Sequence, residues 1–171
     1  MAIINRTPDS FYDAGRAFTD ESALAAVAAA VAAGADIVDI GGVKAGPGEF
    51  VGVHEELSRT VDIVSAVREG FPDIVISVDT WRHEVGDAVC RAGADLLNDA
   101  WGGYDPQLVA VAAEHHVGLV CTHTGGATPR TRPHRVEYAD VTAAVVGFLE
   151  QEAGRAEAAG IPRHKILIDP G

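Results

Sequence analysis

Short β-type runs and helical patterns alternate along the whole of this chain, and that alternation leaves few folds open to it. Six runs stand out: Ala2–Asn5, Asp36–Gly41, Ile74–Asp79, Asp95–Asn98, Gly118–His123 and Ile166–Asp169. Several are nearly continuous apolar stretches, the signature of parallel strands buried on both faces. Between them Leu57, Val61 and Val64 recur at helical spacing. So do Val85, Ala88, Val89 and Ala92, and later Val141, Ala144, Val145 and Phe148. Strand and helix in strict alternation predict right-handed βαβ units on a parallel sheet.

The turns are asymmetric. Ala33-Gly34, Ala92-Gly93 and Ala159-Gly160 each close a helix just before a strand, with glycine as the left-handed residue that stops a helix abruptly. The opposite connections, Arg6–Thr19, Gly42–Gly52 and Thr124–Glu137, are long and rich in Gly, Pro and charge. In a β/α barrel the loops leaving the carboxyl ends of the strands carry function. An open doubly wound sheet is the rival architecture, and it calls for a glycine-rich phosphate turn after the first strand. This chain instead reads Asn5-Arg6-Thr7-Pro8-Asp9-Ser10 there. The expected fold class is therefore α/β, a partial (β/α)8 TIM barrel with about six of its eight β/α units. It forms one domain over residues 1–171, incomplete at both ends.

An apolar content of 47% supplies a core, and no run of eighteen apolar residues suggests a membrane span. The N-terminus lacks the basic-then-apolar pattern of a signal peptide. Cys90 and Cys121 have neither disulfide-framework nor zinc-knuckle spacing, so a cytoplasmic setting is expected. The formal charge of −12 argues against nucleic acid as the main partner.

Polar residues end nearly every strand: Asn5, Asp39 near the end of the second run, Asp79-Thr80, Asn98-Asp99, His123 and Asp169. Any one of them also suits the N-cap of a following helix, as Thr80 before Trp81 does. Six together suit a ligand that offers donors and acceptors along a flat edge.

The loops carry a more specific signal. Asn5-Arg6-Thr7-Pro8-Asp9-Ser10-Phe11-Tyr12-Asp13 closely resembles the opening signature N-x-T-P-D-S-F-x-D of dihydropteroate synthases. Asp39-Ile40-Gly41-Gly42 with Pro47-Gly48 resembles their second signature. Ser77-Val78-Asp79-Thr80, Asn98-Asp99 and Ile168-Asp169-Pro170-Gly171 follow in order. The resemblance covers the whole chain and identifies a divergent member of this pterin-binding barrel family, similar to the dihydropteroate synthase 2 type.

The resemblance implies a transferase of folate biosynthesis. It would condense a dihydropterin pyrophosphate with p-aminobenzoate to give dihydropteroate and pyrophosphate. It assigns Asp79, Asn98 and Asp169 to the pterin ring and Asn5 to Mg²⁺, with Asn5, Asp79 and Asp169 as the catalytic set. A carboxylate suits an aminopyrimidine edge, and a hard cation suits an amide oxygen. Arg6, Lys44 and Arg130, with Arg16, Arg132 and Arg135, lie on the long loops of an otherwise acidic chain and fit an anionic substrate. The family pattern also implies a homodimer for the full-length protein.

The departures matter as much. Family members read G-G-E-S-T-R-P-G in the second loop, whereas this chain reads Gly41-Gly42-Val43-Lys44-Ala45-Gly46-Pro47-Gly48. The threonine and arginine expected to organise p-aminobenzoate and pyrophosphate are Ala45 and Gly46. Thr122-His123-Thr124 replaces a methionine-flanked histidine, and Arg6 stands where a small apolar residue is usual. The family's later lysine and arginine–histidine pair belong to positions past Gly171. A pterin-binding homologue without turnover is thus the first alternative, and a pterin-dependent methyltransferase the second. Among smaller signals, Cys121 and His123 share a strand face, which alone is too few ligands for a metal. His115-His116 ends a helix, where a favourable dipole interaction or simple exposure is expected. Trp81 and Trp101 follow strand ends, as core residues or pocket walls.

Overall fold

The computed structural model describes residues 1–6, 19–44, 46–131 and 136–171. Among them six strands alternate with five helices: β1 Ala2–Asn5, α1 Asp20–Ala32, β2 Ile37–Gly41, α2 Val53–Gly70, β3 Val75–Asp79 and α3 His83–Arg91, then β4 Leu96–Asp99, α4 Leu108–Glu114, β5 Gly118–Thr122, α5 Val141–Ala158 and β6 Ile166–Asp169. All five neighbouring pairs are parallel and run in chain order from β1 to β6, as consecutive βαβ units of a barrel must. Each expected strand is present to within one residue at either end.

The period of two in a strand sorts its side chains onto two faces. Val38, Ile40, Ile76, Val78, Leu97, Leu119 and Cys121 take the outer face. There they meet Ala23 and Val27 of α1, Ile63, Val64 and Val67 of α2, Val85 and Val89 of α3, and Leu108 and Ala112 of α4. Each such Val, Leu or Ile side chain contributes about 1.5–3 kcal/mol on burial. The residues in between, Asp39, Gly41, Ser77, Asp79 and Asn98, share the opposite face. The same alternation that builds the core thus gathers the polar groups.

The helix stops are built as their glycines suggest. Gly34, Gly93 and Gly160 take φ of +86°, +112° and +103°. The next residue's N–H reaches back five positions each time: Ala35 to Ala30, Ala94 to Val89 and Ile161 to Ala156, all at 3.0 Å. This is the Schellman pattern. The end of α4 repeats it with His116 at φ +56° in the glycine position and Val117 donating to the Ala112 carbonyl. Of the histidine pair, His115 bonds Asp87 at 2.8 Å, while His116 serves this backbone turn.

Thr19 and Asp140 cap α1 and α5 through their side chains. Thr80 does not cap α3, contrary to expectation. The helix starts at His83 with Arg82 as its cap residue, because the Thr80 hydroxyl is drawn inward to the Glu56 carboxylate at 2.7 Å. Apolar side chains on the two edge strands are exposed, with Ile3 at 66% and Ile168 at 63%. Among the described residues β1 and β6 are not paired with each other.

Candidate functional site

Strand register lines up the polar strand ends. Asn5 of β1 pairs with Gly41 of β2, Gly41 with Asp79 of β3, and Asp79 with Asn98 of β4. Further round, Thr122 of β5 pairs with Asp169 of β6. Asn5, Asp79 and Asn98 therefore occupy adjoining positions on one face. Gly41 between them keeps the space open: a methyl group placed there would lie 3.6 Å from Asn5 Oδ1 and 3.9 Å from Asp79 Oδ2.

Asp79 is half-buried, and its carboxylate has no hydrogen-bond partner among the described residues. Burial pushes its pKa well above the usual carboxylate range, and the charges of Asp39, Glu56 and Asp99 add to the rise. A ligand that brings donors relieves both penalties. Below it lies Asp39, buried and bonded by the Ser77 hydroxyl at 2.5 Å and the Asn98 amide Nδ2 at 3.1 Å. Burial raises Asp39 too, and these two donors oppose the shift.

Asp99, adjacent in sequence to Asn98, is not part of this row. It pairs with Cys121 on the outer face, and its oxygens accept the backbone N–H groups of Trp101 at 3.0 Å and Gly103 at 2.7 Å. It shapes the loop after β4. Asp169 is exposed on the edge strand and accepts the Gly171 N–H at 3.0 Å. Thr122 carries the only buried side-chain polar atom without a hydrogen-bond partner among the described residues.

The three cations assigned to an anion are engaged by protein. Arg6 is buried, with Nε donating to the Arg59 carbonyl at 3.0 Å and its guanidinium paired with Asp20. Arg130 takes φ +62° and bonds the carbonyls of Lys44 at 3.2 Å and Glu49 at 2.7 Å, which ties the loop after β5 to the loop after β2. The position of Gly48 allows this, since a Cβ there would lie 2.6 Å from an Arg130 nitrogen. Lys44 is half-buried beside that clasp. Arg16, Arg132 and Arg135, residues 7–13 of the first signature and Ala45 lie outside the described residues.

A second polar cluster supports the loop after β2. Glu56 of α2 is fully buried, accepts from Thr80 Oγ1 and pairs with Arg82. Burial raises the Glu56 pKa, while Thr80 and Arg82 hold it down. Arg82 also donates to the Val51 carbonyl at 2.7 Å and lies over the Trp81 ring at 4.5 Å. Trp81 is buried against Val43 and Val51, with half-buried Trp101 edge-on at 6.2 Å. Val43, one of the altered second-loop residues, is thus an apolar anchor. No sequence motif marks Glu56, but its spacing from Thr60, Ile63, Val64 and Val67 places it on the buried stripe of α2.

Among the described residues neither Cys121 nor His123 belongs to a group of metal-ligating side chains. Cys121 is buried on the outer face, and burial pushes its thiol up to about 11. The His123 ring packs against Tyr138 and Phe148 at 5.9 and 5.4 Å.

Strand-end carboxylate and amide groups thus line one arc of a partial β/α barrel. The model of the pterin binding enzyme family matches residues 1–171, and the chain belongs to that family. It is 58% identical over 174 residues to the inactive dihydropteroate synthase 2 of Mycobacterium tuberculosis, covering 99% of this chain and 55% of that protein. It is 41% identical over 173 residues to the dihydropteroate synthase of Streptococcus pyogenes, covering 100% of this chain and 62% of that one. The solved Yersinia pestis dihydropteroate synthase, in complex with a sulfonamide drug, superposes with a TM-score of 0.90 at 35% identity, covering 100% of this chain and 61% of that chain. The chain therefore spans between half and two thirds of the length of these relatives.

Proposed function

We propose that the full-length protein binds a pterin at this strand-end row and has lost dihydropteroate synthase turnover. One contrast carries the reading. Asp79 and Asn98 are half-buried neighbours in register, and the Asp79 carboxylate is left without a hydrogen-bond partner among the described residues, while the loop that departs from the family pattern is packed down through Val43 against Val51 and Trp81. The 58% identical relative named inactive supports the same conclusion.

In this reading Asp79, Asn98 and Asp169 accept hydrogen bonds from the pterin. The Asn5 amide oxygen is the donor for Mg²⁺, whose preference for oxygen ligands the row meets. When bound, Mg²⁺ would supply charge for the pyrophosphate of a pterin pyrophosphate, with Lys44 and Arg130 as neighbouring cations. Arg6 serves instead as a clamp between β1, α1 and α2. We place the protein in the cytoplasm, as a homodimer when full-length. Among the described residues no helix is long and apolar enough to cross a membrane.

The synthase itself is the second reading, favoured by the 41% identical enzyme from Streptococcus pyogenes. Incubating the full-length protein with 6-hydroxymethyl-7,8-dihydropterin pyrophosphate, p-aminobenzoate and Mg²⁺ separates the two. The expected result is no dihydropteroate; sustained product formation would overturn the loss of turnover.

A further inference from the structure

We propose that Asp39 is a positioning residue that fixes which atoms Asn98 presents to a bound pterin; this rests on the pocket reading above. A carboxamide turned by half a rotation exchanges one acceptor for two donors, so its orientation decides which ligand edge it matches. Nothing in Asn98 itself sets that choice.

Asp39 does. It stands on β2 fifty-nine residues from Asn98 in sequence, on the face it shares with Ser77 and Asn98, and is only 5% exposed. One of its oxygens takes the Ser77 hydroxyl at 2.5 Å and the other takes Asn98 Nδ2 at 3.1 Å. Ser77 is itself fully buried, so its hydroxyl holds the carboxylate from a fixed position in the core. Reversing the Asn98 amide would set its carbonyl oxygen against a carboxylate oxygen, a buried repulsion between two acceptors. The amide nitrogen is therefore held inward, and Asn98 Oδ1 has no partner among the described residues. Beside it, one register position away on β3, stands the equally unpartnered Asp79 carboxylate. The pocket wall thus presents two neighbouring acceptors, which select a flat heterocycle that donates along that edge. Asp39 need not touch the ligand to impose this.

The test is a double-mutant cycle on the full-length protein, with 6-hydroxymethylpterin as the probe in titration calorimetry. Wild type, Asp39→Asn, Asn98→Ala and the double variant are compared. Asparagine at position 39 keeps the shape but accepts either amide orientation. The account predicts that Asp39→Asn weakens binding about tenfold, and that the loss vanishes in the Asn98→Ala background. An equal loss in both backgrounds, or no loss in the wild-type background, would overturn the positioning role. Should Asp39→Asn fail to fold, Ser77→Ala frees one Asp39 oxygen and enters the same cycle with the same two readings. Wild type failing to bind the probe would instead overturn the pocket itself.

Discussion

Asn5 and Asp79 flank Gly41, where a Cβ would stand 3.6 Å from the amide oxygen of one and 3.9 Å from a carboxylate oxygen of the other. The two residues are two strands apart, and register alone brings them together.

Gly41→Ala follows directly. Gly41 lacks a positive φ, and the added methyl meets its neighbours at ordinary contact distances of 3.6–3.9 Å, so the fold should be retained. The methyl would fill the gap between the two oxygens. Pterin affinity measured by calorimetry should drop about tenfold or more while the thermal midpoint stays near wild type.

Asp79→Asn should move stability and binding in opposite directions. Burial, then the charges of Asp39, Glu56 and Asp99, raise the folded-state pKa of Asp79 above its unfolded value. Below about pH 3.8 both states are protonated and the penalty is absent. As pH rises above that value the unfolded state loses its proton first, so the native state pays increasingly for ionisation until its own raised pKa is passed. Thermal unfolding at neutral pH should therefore show a higher midpoint for Asp79→Asn, by about 2–4 °C per kcal/mol relieved. That gain should shrink as pH falls toward 4. Pterin binding should weaken by about 10–100-fold, the range for a lost charged hydrogen bond.

Glu56→Ala should be severe. It leaves the Arg82 guanidinium and the Thr80 hydroxyl without their buried partner, at a cost of about 3–5 kcal/mol in denaturant unfolding. Glu56→Gln keeps the Thr80 bond and should cost less. The same lesion should loosen the loop after β2, read as faster proteolysis near Val51.

His116→Gly should stabilise the chain. His116 holds φ +56° where three parallel turns use glycine, and removing its Cβ relieves about 1 kcal/mol of strain. A raised thermal midpoint checks this.

The strands, their order and the three glycine stops were legible because they are local: a run of apolar residues, a period, an Ala-Gly pair. The row Asn5, Asp79, Asn98 was legible because each residue stands at the end of its own strand or one residue before it. What escaped was set by contacts distant in sequence. Thr80 and Asp99 have the composition of caps or ligands, and only packing shows one bonded to Glu56 and the other folded onto its own loop. Arg6 and Arg130 carry the charge of an anion site, but Asp20 and two loop carbonyls occupy them here. The fourth stop was hidden because histidine stands in for glycine.

The most direct test is calorimetric titration of the full-length protein with 6-hydroxymethyl-7,8-dihydropterin pyrophosphate and Mg²⁺, wild type beside Asp79→Asn. The account predicts saturable binding by wild type, weakened about 10–100-fold by the substitution. Equal affinities, or no binding by wild type, would contradict a pterin pocket at these strand ends.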